Sequence, residues 1–110
     1  MIVELATYRV KTGRRAEFIR FFETQAIPVM RAHGIRILGP VVDLENPNRF
    51  MWLRSFPSDK ERIRRKDAFH HSEAWTGELG PAAMAMLESW DFGIFETTEG
   101  YSQDELGPSN

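Results

Sequence analysis

Apolar and polar positions along the 110-residue chain switch between a period of two and a period near that of a helix. From Ile2 to Val10 β-branched and aromatic residues dominate, and Lys11, Thr12 and Gly13 close the run with a turn signal, which predicts a strand. Between Arg14 and His33, apolar residues such as Phe18, Phe22, Ala26 and Met30 recur at helical spacing. Pro28 removes one backbone donor inside that run and predicts a kink, while Gly34 supplies the left-handed residue that commonly ends a helix. Ile35 to Asp43 and Arg49 to Phe56 are again β-rich, and Glu45-Asn46-Pro47-Asn48 between them predicts a hairpin. Ser58 followed by Glu61 matches a capping box and predicts a helix from about Asp59 towards His71. Pro81 opens a short helical stretch, AAMAMLE, before strand-like residues return from Trp90 to Thr97.

The resulting order, βαββαβ, predicts an α+β, ferredoxin-like sandwich: a four-stranded antiparallel sheet with helices on one face. Residues 1–98 make the domain. The polar stretch 99–110 shows no apolar period and is expected to be a C-terminal tail.

An antiparallel sheet with one open face should read polar along that face. In the third strand one alternate set is Arg49, Met51, Leu53 and Ser55, and the other is Phe50, Trp52, Arg54 and Phe56. Neither is polar, and three large aromatic residues are too much apolar surface to leave in water. The expectation is that Phe50, Trp52, Arg54 and Phe56 lie on the open face, where a second copy of the sheet covers them in a homodimer. Val3 and Leu5 read as the helix-packing pair of the first strand, which puts Glu4, Ala6 and Tyr8 on that open face too. A cavity with an apolar wall and a few ionisable groups describes a small-molecule site.

Composition narrows the chemistry. Hydrophobic residues make up 42% of the chain and charged residues 27%, with a formal net charge of -2, which excludes a disordered chain and gives nothing to draw nucleic acid. There is no cysteine, so disulfides, zinc–thiolate sites and thiol nucleophiles are excluded, and no apolar run is long enough for a membrane-spanning helix. The N-terminus reads as a strand rather than a signal peptide, and a soluble, cytoplasmic protein is expected. No phosphate-cradling glycine loop, nucleophile elbow or zinc-type histidine spacing occurs, so neither a metal nor a resident cofactor is expected.

The candidate catalytic residues are Arg54, Tyr8, His70 and Glu4, and the candidate substrate-binding residues are Trp52, Phe50 and Phe56. Arg54 in mid-strand either pairs with Glu4 or Glu96 or clamps a substrate carboxylate or enolate. Tyr8 either donates to a developing oxyanion or packs. His70 is a general base, an axial haem ligand or a helix-end residue meeting the carbonyl dipole. Trp52 and Phe50 line the dimer interface or stack on a planar ligand. His33, before Gly34, reads as a helix-end cap. The basic run around Arg64, Arg65 and Lys66 reads as a solvated helix face.

The segments VELATYRVKTG, QAIPVMRAHGI and NPNRFMWLRSFPS, with the AF and SEAW around the second helix, resemble the NIPSNAP family of the dimeric α+β barrel superfamily over roughly residues 3 to 75. The resemblance implies a ferredoxin-like protomer, a dimer whose two sheets form a barrel, and a ligand cavity between sheet and helices or within the barrel. Animal members are described as vesicle-transport or mitochondrial signalling proteins, and superfamily relatives include cofactor-free monooxygenases, isomerases of ring lactones and haem enzymes. Where the family pattern has an aromatic pair such as Phe-Tyr, this chain has Phe69 followed by His70 and His71, so no tyrosine role carries over there. The expected function is binding or transformation of a small planar or carbonyl-containing molecule without a cofactor. The alternatives are a protein-interaction module and a haem-binding barrel.

Overall fold

The computed structural model describes residues 1–101 and has the βαββαβ order. The strands are β1 Ile2–Val10, β2 Arg36–Val42, β3 Arg49–Phe56 and β4 Leu87–Glu96; helix α1 spans 15–32, α2 is Asp59–His70 and α3 spans 75–86. The strands form one sheet in the order β2-β3-β1-β4, with every neighbouring pair antiparallel. β4 begins three residues before the expected Trp90, because the chain turns extended immediately after Met86. Residues 102–110 of the expected tail lie outside the described part.

Local signals place the helix ends. Ser58 caps α2, its Oγ accepting the Glu61 N–H at 3.2 Å. Gly34 takes φ +78° after α1, and His33 sets its Nδ1 2.9 Å from the Val29 carbonyl, as a capping histidine should.

Pro28 acts differently from the simple kink expected. Phe22–Ala26 widens into a π turn in which the Ile27 N–H reaches back to the Phe22 carbonyl, and Pro28 follows directly. Proline lacks an N–H and its ring crowds the carbonyl four residues back; a wider preceding turn relieves both. α3 uses the same device. Its Trp75–Leu79 segment is π-helical, the Gly80 N–H bonds the Trp75 carbonyl, and Pro81 comes next.

The sheet is inside out relative to the expectation. Glu4, Ala6 and Tyr8 stand opposite Arg54, Trp52 and Phe50, and this set faces the helices: the Phe22 ring of α1 lies 4.8 Å from Trp52 and 6.4 Å from Tyr8. Phe50, Trp52, Arg54 and Phe56 are therefore buried within one chain rather than left for a partner. The physical reason is fit. The small, fully buried Ala6 leaves room above the sheet for the bulky rings of α1, whereas Leu5 and Leu53 pair on the other face. That outer face carries Leu38, Val41, Met51 and Phe95, all exposed. Among the described residues, no helix is long and apolar enough to cross a membrane.

Candidate functional site

Glu4 is completely buried, yet each of its oxygens is occupied. Oε1 accepts the Arg54 Nε–H, while Oε2 accepts from Arg62 Nη1 at 2.9 Å and from Lys66 Nζ at 2.8 Å. Arg62 and Lys66 sit four residues apart, hence on one face of α2. The only buried residue of α2 is Phe69, so this helix is held to the sheet largely by ion pairs. Burial works to raise the Glu4 pKa, but the Arg54 charge beside it and the bonds from Lys66, Arg54 and Arg62 prevail, and the carboxyl stays below its ordinary range. A buried charge is tolerated when paired and hydrogen-bonded in this way. The structural pair Arg54–Glu4 is the one formed.

Beyond this cluster, sheet and helices enclose a cavity of about 190 Å³. Its walls are mainly aromatic, with Phe18, Phe22, Phe69 and Trp75 from the helices and Trp52 and Phe92 from the sheet. Its polar groups are Tyr8, Arg54 and His70. The exposed Met84 and Trp90 line it as well and mark its open side. Both π turns deliver an aromatic residue, Phe22 and Trp75, to the cavity wall.

Each polar group has a distinct state. The Arg54 guanidinium carbon lies 4.9 Å from the Trp52 ring centre and 5.0 Å from that of Phe92, a cation–π contact with each ring. Burial pushes the Tyr8 hydroxyl up to about 12, against the opposing pull of Arg54. Trp52 Nε1 is buried against Tyr8, and its N–H works with Arg54 to lower the Tyr8 pKa against the larger effect of burial. His70 packs against Phe69 and Trp75. Although His70 is exposed on its outer side, partial burial, then the charges of Arg54 and Lys66, lower its pKa, which favours the neutral imidazole at pH 7.

Of the residues expected from sequence, Tyr8, Trp52, Arg54 and His70 meet at this cavity. Glu4 does not line it and serves as the anchor beneath Arg54. Phe50 packs in the core against Tyr8, Phe18 and Phe22, and Phe56 is buried away from the cavity. Arg62 and Lys66, read from sequence as part of a solvated face, turn inward; their four-residue spacing was the available signal.

A NIPSNAP family model matches residues 3–99. The chain belongs to the NIPSNAP family. Solved structures agree with the fold of this NIPSNAP chain. A NIPSNAP domain protein from Burkholderia xenovorans aligns with a TM-score of 0.85 at 16% identity, covering 94% of this chain and 100% of its own. A NIPSNAP family protein from Agrobacterium tumefaciens aligns at 0.82 and 19% identity, covering 93% and 97%. An antibiotic biosynthesis monooxygenase aligns at 0.66 and 16% identity, covering 89% and 99%. None of the curated proteins matches the sequence.

Haem, one of the alternatives expected from the sequence, does not fit this cavity. Its volume of about 190 Å³ is little more than the roughly 150 Å³ void that accommodates benzene, and a porphyrin has four pyrrole rings. Among the described residues, no cluster of three or more His, Asp or Glu is placed to hold a metal ion.

Proposed function

We propose that this NIPSNAP protein binds, and transforms without a cofactor, a small planar carbonyl-containing molecule in the cavity between sheet and helices. The observation that carries the reading is the convergence of Tyr8, Arg54 and the neutral His70 on one otherwise aromatic cavity. Arg54 and Tyr8 polarise the carbonyl oxygen, a role suited to donors fixed in place before reaction. His70 takes a proton from the carbon beside the carbonyl and returns it, an isomerase-like exchange in which an enolate is the intermediate. Glu4, with its lowered pKa and all its oxygens engaged, is a poor base and holds Arg54 in position. The likeness to the monooxygenase supports the fold alone.

The test is proton exchange of a planar ketone such as 1-indanone in D2O, followed by NMR. Exchange faster than in buffer is expected, and it should disappear in His70→Ala and fall in Tyr8→Phe. Exchange at the buffer rate, or exchange indifferent to both substitutions, would sink the catalytic reading.

The outer sheet face favours a second part of the reading, a homodimer. Leu38, Val41, Met51 and Phe95 form an exposed apolar surface opposite the helices, and a second copy would cover it. Sedimentation should show a dimer that Leu53→Glu converts to monomer; a monomer at all concentrations would overturn this part.

A further inference from the structure

The helix-side face of the sheet is closed on β1 and open on β4. β4 is an edge strand beside β1. Trp90, Phe92 and Ile94 stand opposite Tyr8, Ala6 and Glu4, and residues paired across an antiparallel ladder share a face. Ala6 and Glu4 are fully buried, whereas Phe92 and Ile94 beside them are 38% and 53% exposed and Trp90 is 48% exposed. The result is an apolar strip one side chain wide and about 13 Å long. It starts in the cavity, where Trp90 and Phe92 form part of the wall, and ends outside it at Ile94. Lys66 Nζ lies 5.6 Å from the Phe92 ring centre on the inner border and is held there by Glu4. Ile63, also exposed, sits on the same side of α2 one turn from Lys66, in the direction away from His70.

A contiguous exposed apolar surface marks a binding groove, and this one continues the wall of the cavity. The cavity itself, of about 190 Å³, is filled by one ring with a short substituent. A longer ligand must leave by the open side, where Met84 and Trp90 stand. The row formed by Trp90, Phe92 and Ile94 offers no polar side chain, so what lies on it is hydrocarbon. An extended chain of about ten carbons spans its length.

We propose that the ligand class is an aryl ketone with a long alkyl chain, its ring and carbonyl in the cavity and its chain laid along Phe92 and Ile94. This rests on the reading of the cavity as a site for planar carbonyl compounds, and adds the chain and the surface that receives it. A methylene wholly removed from water tightens binding about fourfold, and one resting on a half-open wall about twofold.

The probes are phenyl alkyl ketones of rising length, acetophenone, butyrophenone, hexanophenone and octanophenone, titrated against the full chain at pH 7 by ligand-observed 1H NMR. Affinity should rise about twofold for each added methylene, or roughly sixtyfold from acetophenone to octanophenone. Ile94→Ser should weaken octanophenone about fivefold and leave acetophenone within twofold of the parent, which also shows that the variant is folded. Leu44→Ser removes a side chain that is 96% exposed in the β2–β3 loop, and it should leave the whole series unchanged. Acetophenone binding with no gain along the series would overturn the chain groove and leave the cavity reading standing. A gain that Ile94→Ser does not reduce, or that Leu44→Ser reduces equally, would also overturn the groove. Failure of every ketone to bind, acetophenone at millimolar concentration included, would overturn groove and cavity reading together.

Discussion

Glu4→Gln tests the ion cluster that fixes both Arg54 and α2. The substitution preserves shape but leaves Arg54, only 4% exposed, without an anion. Breaking a buried pair by removing one charge is destabilising by about 3–5 kcal/mol. Arg62 and Lys66, with side chains 16% and 20% exposed, can turn towards water, and Arg62 keeps Asp59 at 2.7 Å, so they add little. Glutamine still accepts a hydrogen bond from Arg54, which puts the expected loss near the lower end, about 3 kcal/mol. At about 4 °C or more per kcal/mol for a domain of this size, the melting temperature should fall on the order of 10–20 °C at pH 7.

The pH dependence has a definite sign. The folded pKa of Glu4 lies below its ordinary value of 4.5, so its contribution is fully present above about pH 4.5 and is lost as the pH falls through the lower folded value. The gap between the parent and Glu4→Gln should therefore narrow below pH 4.5. A double variant, Glu4→Leu with Arg54→Met, removes both buried charges and should melt well above Glu4→Gln alone, because apolar replacement of a whole buried pair is often neutral. Differential scanning calorimetry across pH 3 to 7 reads all of this. A fall of less than about 3 °C at pH 7, or a double variant as unstable as the sum of the single changes, would refute the account of Glu4 as a buried anchor.

Other consequences are simpler to state. At Gly80 an added Cβ would stand 2.7 Å from the Trp75 carbonyl and 3.2 Å from its ring, so Gly80→Ala should destabilise by about 1–3 kcal/mol and shift Trp75 fluorescence. At Gly77 nothing lies within 4 Å, so Gly77→Ala should stabilise slightly, by up to about 1 kcal/mol; equal effects at the two glycines would contradict the seating of Trp75. In an alkaline absorbance titration Tyr8 should form its phenolate only near pH 12, a step that Tyr8→Phe removes; ionisation nearer the ordinary value of 10 would mean the hydroxyl is not buried. By NMR the His70 imidazole should titrate below its ordinary 6.5, and Lys66→Met should raise the midpoint by deleting a nearby cation, whereas an unmoved midpoint would remove Lys66 as a cause.

The fold was legible because its signals are local. The Ser58 cap, the turn residues between β2 and β3, Gly34 and the alternation between strand and helix periods all act within a few residues, and together they fix βαββαβ. The family resemblance implied a ligand cavity between sheet and helices or within a dimer barrel, and a cavity is present between sheet and helices. The π turns were not legible as such, although both share a pattern that reads along the chain: an aromatic residue, Phe22 or Trp75, six positions before Pro28 or Pro81.

Which face of the sheet meets the helices was misread for a reason that bears on function. Val3 and Leu5 read as the helix-packing pair of β1, which turned Glu4, Ala6 and Tyr8 away from the helices. Here both faces carry apolar residues, so alternation could not choose, and the deciding interaction is long in sequence: Arg62 and Lys66 of α2 descend on Glu4 from 58 and 62 positions away. Once those cations are supplied, the charged pair can sit under the helices, and Trp52 and Tyr8, which share its face of the sheet, are carried to the cavity wall with it. Local pattern rules fail most often where a protein holds charge in its interior for a purpose. In this chain the residues that break the pattern, Glu4 and Arg54, are the ones that bring donors to an aromatic cavity.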